Sequence, residues 1–179
     1  MPTRSTATYD PKTIALHWAS ATLVVVLWAA GEFLDIFPKG IPRITVRSLH
    51  ICLGIVLGIA LAYRIWWRSN GGTRFPIEVG MRHAKQAHLA HRVLYAAMGL
   101  MVLTGIALVW IRGDNLFNVV SVPAFDPGNK ELRHDAKMIH GWIANALLIG
   151  AFLHAAMAVW HQTVLKDNLL RRMLSRAQS

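Results

Sequence analysis

Met138–His161 reads MIHGWIANALLIGAFLHAAMAVWH, twenty-four residues without an Asp, Glu, Lys or Arg. About twenty mostly apolar residues cross a ~30 Å hydrocarbon core as an α-helix. A chain in lipid must satisfy its backbone hydrogen bonds internally, which favours a helix over an open strand. Two histidines, His140 and His154, lie inside this stretch. An ionisable side chain within a span is a functional candidate by default. Fourteen residues separate them, a rise of roughly 21 Å and a net turn within about 40° of the starting direction. They therefore share one helix face at two depths.

Three further stretches have the same character. Ile14–Phe33 is twenty residues with one acid, Glu32, at its far end. Ser48–Trp67 is twenty with Arg64 near its end, and His91–Ile111 is twenty-one with Arg92 at its start. The pattern predicts an all-α integral membrane protein: a single four-transmembrane-helix bundle over residues 1–179, with spans at about 14–33, 48–67, 91–111 and 138–161. Composition agrees. The 179 residues are 54% hydrophobic and 16% charged, with mean hydropathy +0.38 and formal charge +10. Disordered chains are polar, and the single cysteine, Cys52, makes no disulfide framework. Nucleic-acid binding would use the charge but has no need of so much apolar sequence, so no nucleic-acid partner is expected. No alternating barrel pattern occurs.

Local signals mark the boundaries. Asp10-Pro11 reads as N-cap and first helical residue of span one. Pro38, Gly40 and Pro42 break the chain after it; Gly71-Gly72 and Pro76 break it after span two. The longest connection, 112–137, holds Pro123, Pro127 and Gly128 and has room for a short helix or an ordered cap. The tail, 165–179, alternates leucines with Arg171, Arg172 and Arg176 and suits an anionic membrane surface. Span one exceeds a typical signal-peptide apolar region and contains His17, so it reads as a retained helix.

Four spans place the N-terminus, the second loop and the tail on one side. That side holds twelve Lys and Arg against three acids; the other holds seven against six. The positive-inside rule then puts both termini in the cytoplasm. Six of the seven tryptophans, Trp18, Trp66, Trp67, Trp110, Trp142 and Trp160, fall near span ends, where interfacial anchors belong.

With this orientation His50 and His140 lie near the outer face, and His17 and His154 near the inner one. Two stacked histidine pairs in a four-helix bundle are what two six-coordinate haems require. No Cys-x-x-Cys-His occurs, so attachment would be non-covalent. The inner assignment stays open, because His88 and His91 start span three at a similar depth. His161, one layer beyond His154, is a candidate polar group for a quinone headgroup or a proton path. His83 and His134 read as loop residues, and Cys52 as a small core residue. Gly54, Gly58, Gly105, Gly141 and Gly150 provide space for flat macrocycles or for close helix packing.

In this order and spacing, Leu16-His17-Trp18, Glu32-Phe33, Phe37-Pro38, His50, Ala87-His88-Leu89-Ala90-His91, Arg112-Gly113-Asp114, His140, Gly150–Ala156 with His154, and Lys166-Asp167-Asn168 resemble the bacterial cytochrome b-561 family. The closest likeness is to members described as superoxide:ubiquinone oxidoreductases. The resemblance covers essentially the whole chain. It implies two b haems with axial ligands His17 and His154 (inner) and His50 and His140 (outer). It implies an oxidoreductase of the bacterial inner membrane that takes electrons from superoxide at the periplasmic face and gives them to ubiquinone or another membrane quinone, releasing oxygen. His161, Lys166, His91 and His88 are then quinone-site candidates, although Gln162 stands where family members carry a second histidine. Lys39, Arg43, Arg47, Arg112, Lys130, Arg133 and Lys137 are the outer cations available to steer superoxide. The alternatives are a cytochrome b electron-transfer subunit serving a dehydrogenase or hydrogenase, and a non-catalytic haem-binding module.

Overall fold

The computed structural model describes residues 8–72, 81–166 and 170–174. Four long helices dominate: α1 (Pro11–Glu32), α2 (Ile41–Asn70), α3 (Met81–Arg112) and α4 (Lys130–Trp160). A 3-10 turn, Leu34–Ile36, follows α1; strands β1 (Asn115–Leu116) and β2 (Val120–Ser121) lie between α3 and α4. A π-helical turn, His161–Leu165, extends α4, and a short α5 spans Arg171–Leu174. The helices run up and down in chain order, each packed on the next, and α4 closes on α1. All four are long and apolar enough to cross a membrane. The end carrying the start of α1 and the tail is called the terminal end below; the other is the hairpin end.

The helix starts have visible causes. Asp10 accepts a hydrogen bond from the Thr13 amide at 2.9 Å, and Pro11 occupies the first turn. Asn129 caps α4 by accepting from the Leu132 amide. Gly40, at φ +99°, precedes α2 in a conformation other residues avoid. Pro76 and most of the tail, including Arg176, lie outside the described residues.

Three helices are longer than their apolar spans: α2 begins at Ile41, α3 at Met81 and α4 at Lys130. Hydropathy marks only the lipid-soluble part of a helix, and charged turns continue past it. His83 and His134, read as loop residues, therefore lie within α3 and α4. Cys52, read as core, is exposed on the outside of α2. Large apolar side chains such as Val25, Ile59, Leu103 and Phe152 also face outward, as lipid contact requires. Trp66, Trp110, Trp142 and Trp160 are exposed in the same way. Trp67 is not a simple anchor: its Nε1 donates to Asp10 at 3.1 Å, and Lys12 lies over its ring. Trp18 donates to the Met173 carbonyl, and the Tyr9 amide to Arg172, so α5 docks on the start of α1.

The connection before α4 is the ordered cap that its length allowed. β1 and β2 pair antiparallel across the three-residue loop Phe117, Asn118 and Val119, in which Phe117 and Asn118 have positive φ. Fully buried Ser48 of α2 accepts from the Phe117 amide at 2.9 Å and donates to the Ile44 carbonyl. Gly113 has φ +68°, and a Cβ there would lie 2.7 Å from Ala124, so the turn out of α3 needs glycine.

The apolar core sits at mid-depth: Val24, Leu27, Leu57, Leu61, Met98 and Leu147. One member from each helix lies seven residues after a histidine: Val24 after His17, Leu57 after His50, Met98 after His91, Leu147 after His140. Seven further residues reach Gly31, Arg64, Gly105 and His154. Seven residues are close to two turns, so the interior is built in three levels. The terminal-end level holds His17, Arg64, His91 and His154. The hairpin-end level holds Gly31, His50, Gly105 and His140. Apolar packing separates them, and roughly 21 Å of helix lies between the two polar levels.

Candidate functional site

At the hairpin end the rings of His50 and His140 have centroids 6.3 Å apart, with planes inclined at 72°. The other two helices contribute glycine. A Cβ on Gly31 would lie 3.4 Å from His50 Cε1, and one on Gly105 would lie 3.2 Å from His140 Cε1. Gly105, read as space for a macrocycle or for close helix packing, thus makes room for a histidine ring; Gly31 was not among the glycines read that way. Gly58 and Gly150 instead meet Val102 and Leu94 across helix contacts, while a Cβ on Gly54 or Gly141 would meet nothing within 4 Å.

The orientation of His140 has a cause. Thr104 Oγ1 lies 3.1 Å from His140 Nδ1 and 3.1 Å from the Met101 carbonyl. A hydroxyl that donates to the carbonyl accepts from Nδ1–H, and Nε2 then carries the lone pair. His50 Nδ1 is buried without a hydrogen bond of ordinary geometry; the Leu27 carbonyl is the backbone group that faces it.

At the terminal end His17 and His154 also have centroids 6.3 Å apart, with planes at 62°. His91 approaches His154 more closely, at 5.2 Å. Imidazole nitrogens bind a first-row metal at about 2.0–2.1 Å, so two rings on opposite sides of one ion have centroids roughly 6 Å apart. His50–His140 and His17–His154 have that spacing; His91–His154 is tighter. The histidine pairs, the Nδ1 partner of His140 and the open side of Gly54 fit a flat, axially ligated metal macrocycle. Arg64 Nη2 lies 2.9 Å from His17 Nδ1, and the guanidinium lies over the Tyr95 ring at 5.1 Å.

The other candidates are spread along the terminal end. His88 is exposed and lines a cleft of about 310 Å³ with Lys85, Leu89 and Arg92. His161 opens the π-helical turn, and Lys166 ends it at φ +53° with its amide donating to the His161 carbonyl. At the hairpin end most candidate cations are engaged. Arg43 pairs with Asp35 at 3.2 Å and donates to the Phe37 carbonyl; Lys137 lies 3.7 Å from the same Asp35. Arg133 donates to the Pro127 carbonyl. Arg47 and Arg112 flank buried Asp114 at 3.6 and 3.3 Å, and Arg133 is within electrostatic reach of Arg112. Burial pushes the Asp114 carboxyl up from its ordinary range, while Arg112 and Arg47 pull against that shift. Lys39 and Lys130 are exposed on the surface.

A model of the prokaryotic cytochrome b561 family matches residues 8–176. The chain belongs to this family. It is a membrane electron-transfer protein of the cytochrome b561 type, and the family implies b-type haem. Its relatives include a probable superoxide oxidase CybB of Yersinia pestis, 28% identical over 174 residues, which covers 93% of this chain and 95% of the relative. Cytochrome b561 homolog 1 of Escherichia coli is 34% identical over 170 residues, covering 91% and 94%. Cytochrome b562 of Cereibacter sphaeroides is 29% identical over 175 residues, covering 93% and 94%. The cytochrome b561 match runs through both histidine levels.

Proposed function

We propose that this protein is a di-haem cytochrome b that oxidises superoxide at the periplasmic face of the bacterial inner membrane and reduces a membrane quinone, ubiquinone being the expected one. Both termini would face the cytoplasm, as the excess of cations at the terminal end supports. The observation that carries the reading is the matched 6.3 Å spacing of His50–His140 and His17–His154 at two levels of one bundle. The similarity to a probable superoxide oxidase supports the choice of substrate.

In this reading His50 and His140 hold the outer haem and His17 and His154 the inner one. Bound b haem supplies one-electron redox chemistry between the two faces. The residues around it do the rest. Thr104 fixes the His140 tautomer, and Gly31 and Gly105 admit the two outer rings. Arg47, Arg112 and Arg133 outnumber Asp114 and Asp35, the acids acting on the same cluster, and would attract a small anion. His91, beside His154, and His88, His161 and Lys166 nearer the surface are the groups that would bind a quinone headgroup and deliver protons to it. The reaction balances as two superoxide anions, one quinone and two protons giving two molecules of oxygen and one quinol.

The test uses the purified protein in detergent. Superoxide should reduce a b-type spectrum of two haems per chain, and added quinone should reoxidise it. Reduction only by a protein donor would favour the electron-transfer subunit of a dehydrogenase or hydrogenase instead.

A further inference from the structure

We infer that Arg64 is the binding residue for an anionic oxygen at the terminal-end level, the carboxylate of a haem propionate or the oxygen of a reduced quinone headgroup. The inference rests on the proposal that this level holds a haem between His17 and His154.

Three observations carry it. Arg64 lies fourteen residues after His50, as His154 lies fourteen after His140, so α2 delivers a guanidinium to the level where α4 delivers a histidine. Its neighbours there are neutral or basic: His17 at 2.9 Å and the Tyr95 ring at 5.1 Å. Among the described residues no acid pairs with it. Asp10, the described acid at that end, accepts instead from the Thr13 amide and hydroxyl and from Trp67. A cation drawn into the bundle without a carboxylate is costly, and an anion offsets that cost.

The third observation is the contact itself. Arginine only donates, so His17 Nδ1 accepts from it and the ring proton sits on Nε2. Ligation through Nε2 needs that proton on Nδ1 instead. His140 meets this need because Thr104 can accept; His17 cannot while Arg64 faces Nδ1. Were His17 to hold a haem iron through Nε2, Arg64 would have to leave Nδ1, and a neighbouring anion would supply the replacement partner. Guanidinium and carboxylate match in shape and charge, with two parallel hydrogen bonds available.

The experiment compares wild type, Arg64→Gln and Arg64→Lys by haem count, potentiometric titration and quinone kinetics. The His50→Ala variant, lacking the outer haem, identifies which potential belongs to the terminal end. A propionate partner predicts that Arg64→Gln keeps two haems but lowers the terminal-end potential, because a nearby cation favours the reduced form. A tenfold loss of that preference is about 59 mV for one electron. Arg64→Lys should recover most of it, and the hairpin-end potential should not move. A quinone partner predicts unchanged potentials with a severalfold higher KM for quinone. Two haems with unchanged potentials and unchanged KM in Arg64→Gln would overturn the inference and leave the di-haem reading intact. Fewer than two haems in wild type would instead sink the di-haem reading itself.

Discussion

Gly105 stands directly behind the imidazole of His140: a Cβ at that position would reach His140 Cε1 at 3.2 Å. The hairpin-end level thus alternates around the bundle, glycine on α1 and α3 and histidine on α2 and α4. Ring position there depends on the absence of a side chain on the neighbouring helix.

On the proposed di-haem reading, Gly105→Val should therefore displace His140 and weaken the outer haem selectively. Overpacking of this kind costs about 1–3 kcal/mol. The haem content of the purified variant should fall from two per chain toward one. Gly99→Val, on the same helix at a position where a Cβ meets nothing within 4 Å, is the matched control for added volume; equal loss in both would refute the argument.

Thr104→Val keeps the shape of the side chain and removes the acceptor for His140 Nδ1. Loss of such an orienting partner typically lowers metal affinity by about 10–100-fold. If His140 holds the outer haem as proposed, that haem should pass faster to an excess of a soluble haem acceptor, and Thr104→Ser should restore retention. Identical transfer rates in Val and Ser variants would show that the hydroxyl does not orient the ring.

Asp114 sits between Arg47 and Arg112, and burial already disfavours its charged form. Asp114→Asn keeps the shape of the side chain, removes the acid between the two guanidiniums and should raise the local positive potential. On the proposed function, the second-order rate with superoxide should increase, most at low ionic strength, where screening is weakest. Arg112→Gln should lower it. Rates insensitive to both changes would take this cluster out of the substrate's path.

Ser48→Ala leaves the Phe117 amide without its buried acceptor. An unsatisfied buried donor costs about 1–3 kcal/mol. The expected result is a lower Tm in detergent and faster amide exchange across 115–121. Unchanged exchange there would mean that the hairpin is held by its own turn and not by α2.

Much of the molecule is determined within single helices. Four apolar stretches become four long helices because a backbone in lipid has few other solutions. The Asp10-Pro11 start follows from local capping, and the fourteen-residue spacing of His140 and His154 fixes their shared face through helical geometry alone. Depth along the spans also paired His50 with His140 and His17 with His154; what the sequence left open was the contacts between helices. Arg64 read as a charge near a span end, and the structure turns it inward to His17. Gly31 carried no signal until α2 brought His50 against it. Arg47 and Arg112 read as separate steering cations; only the structure shows Asp114 buried between them. His88 and His91 stood as alternatives to His17 by depth; the rings of His91 and His17 differ by 1.1 Å in distance to His154, 5.2 against 6.3 Å. The physical reason is that periodicity sets which residues share a face of one helix. It does not set how far that helix rotates or slides against its neighbours, and tertiary packing alone decides that.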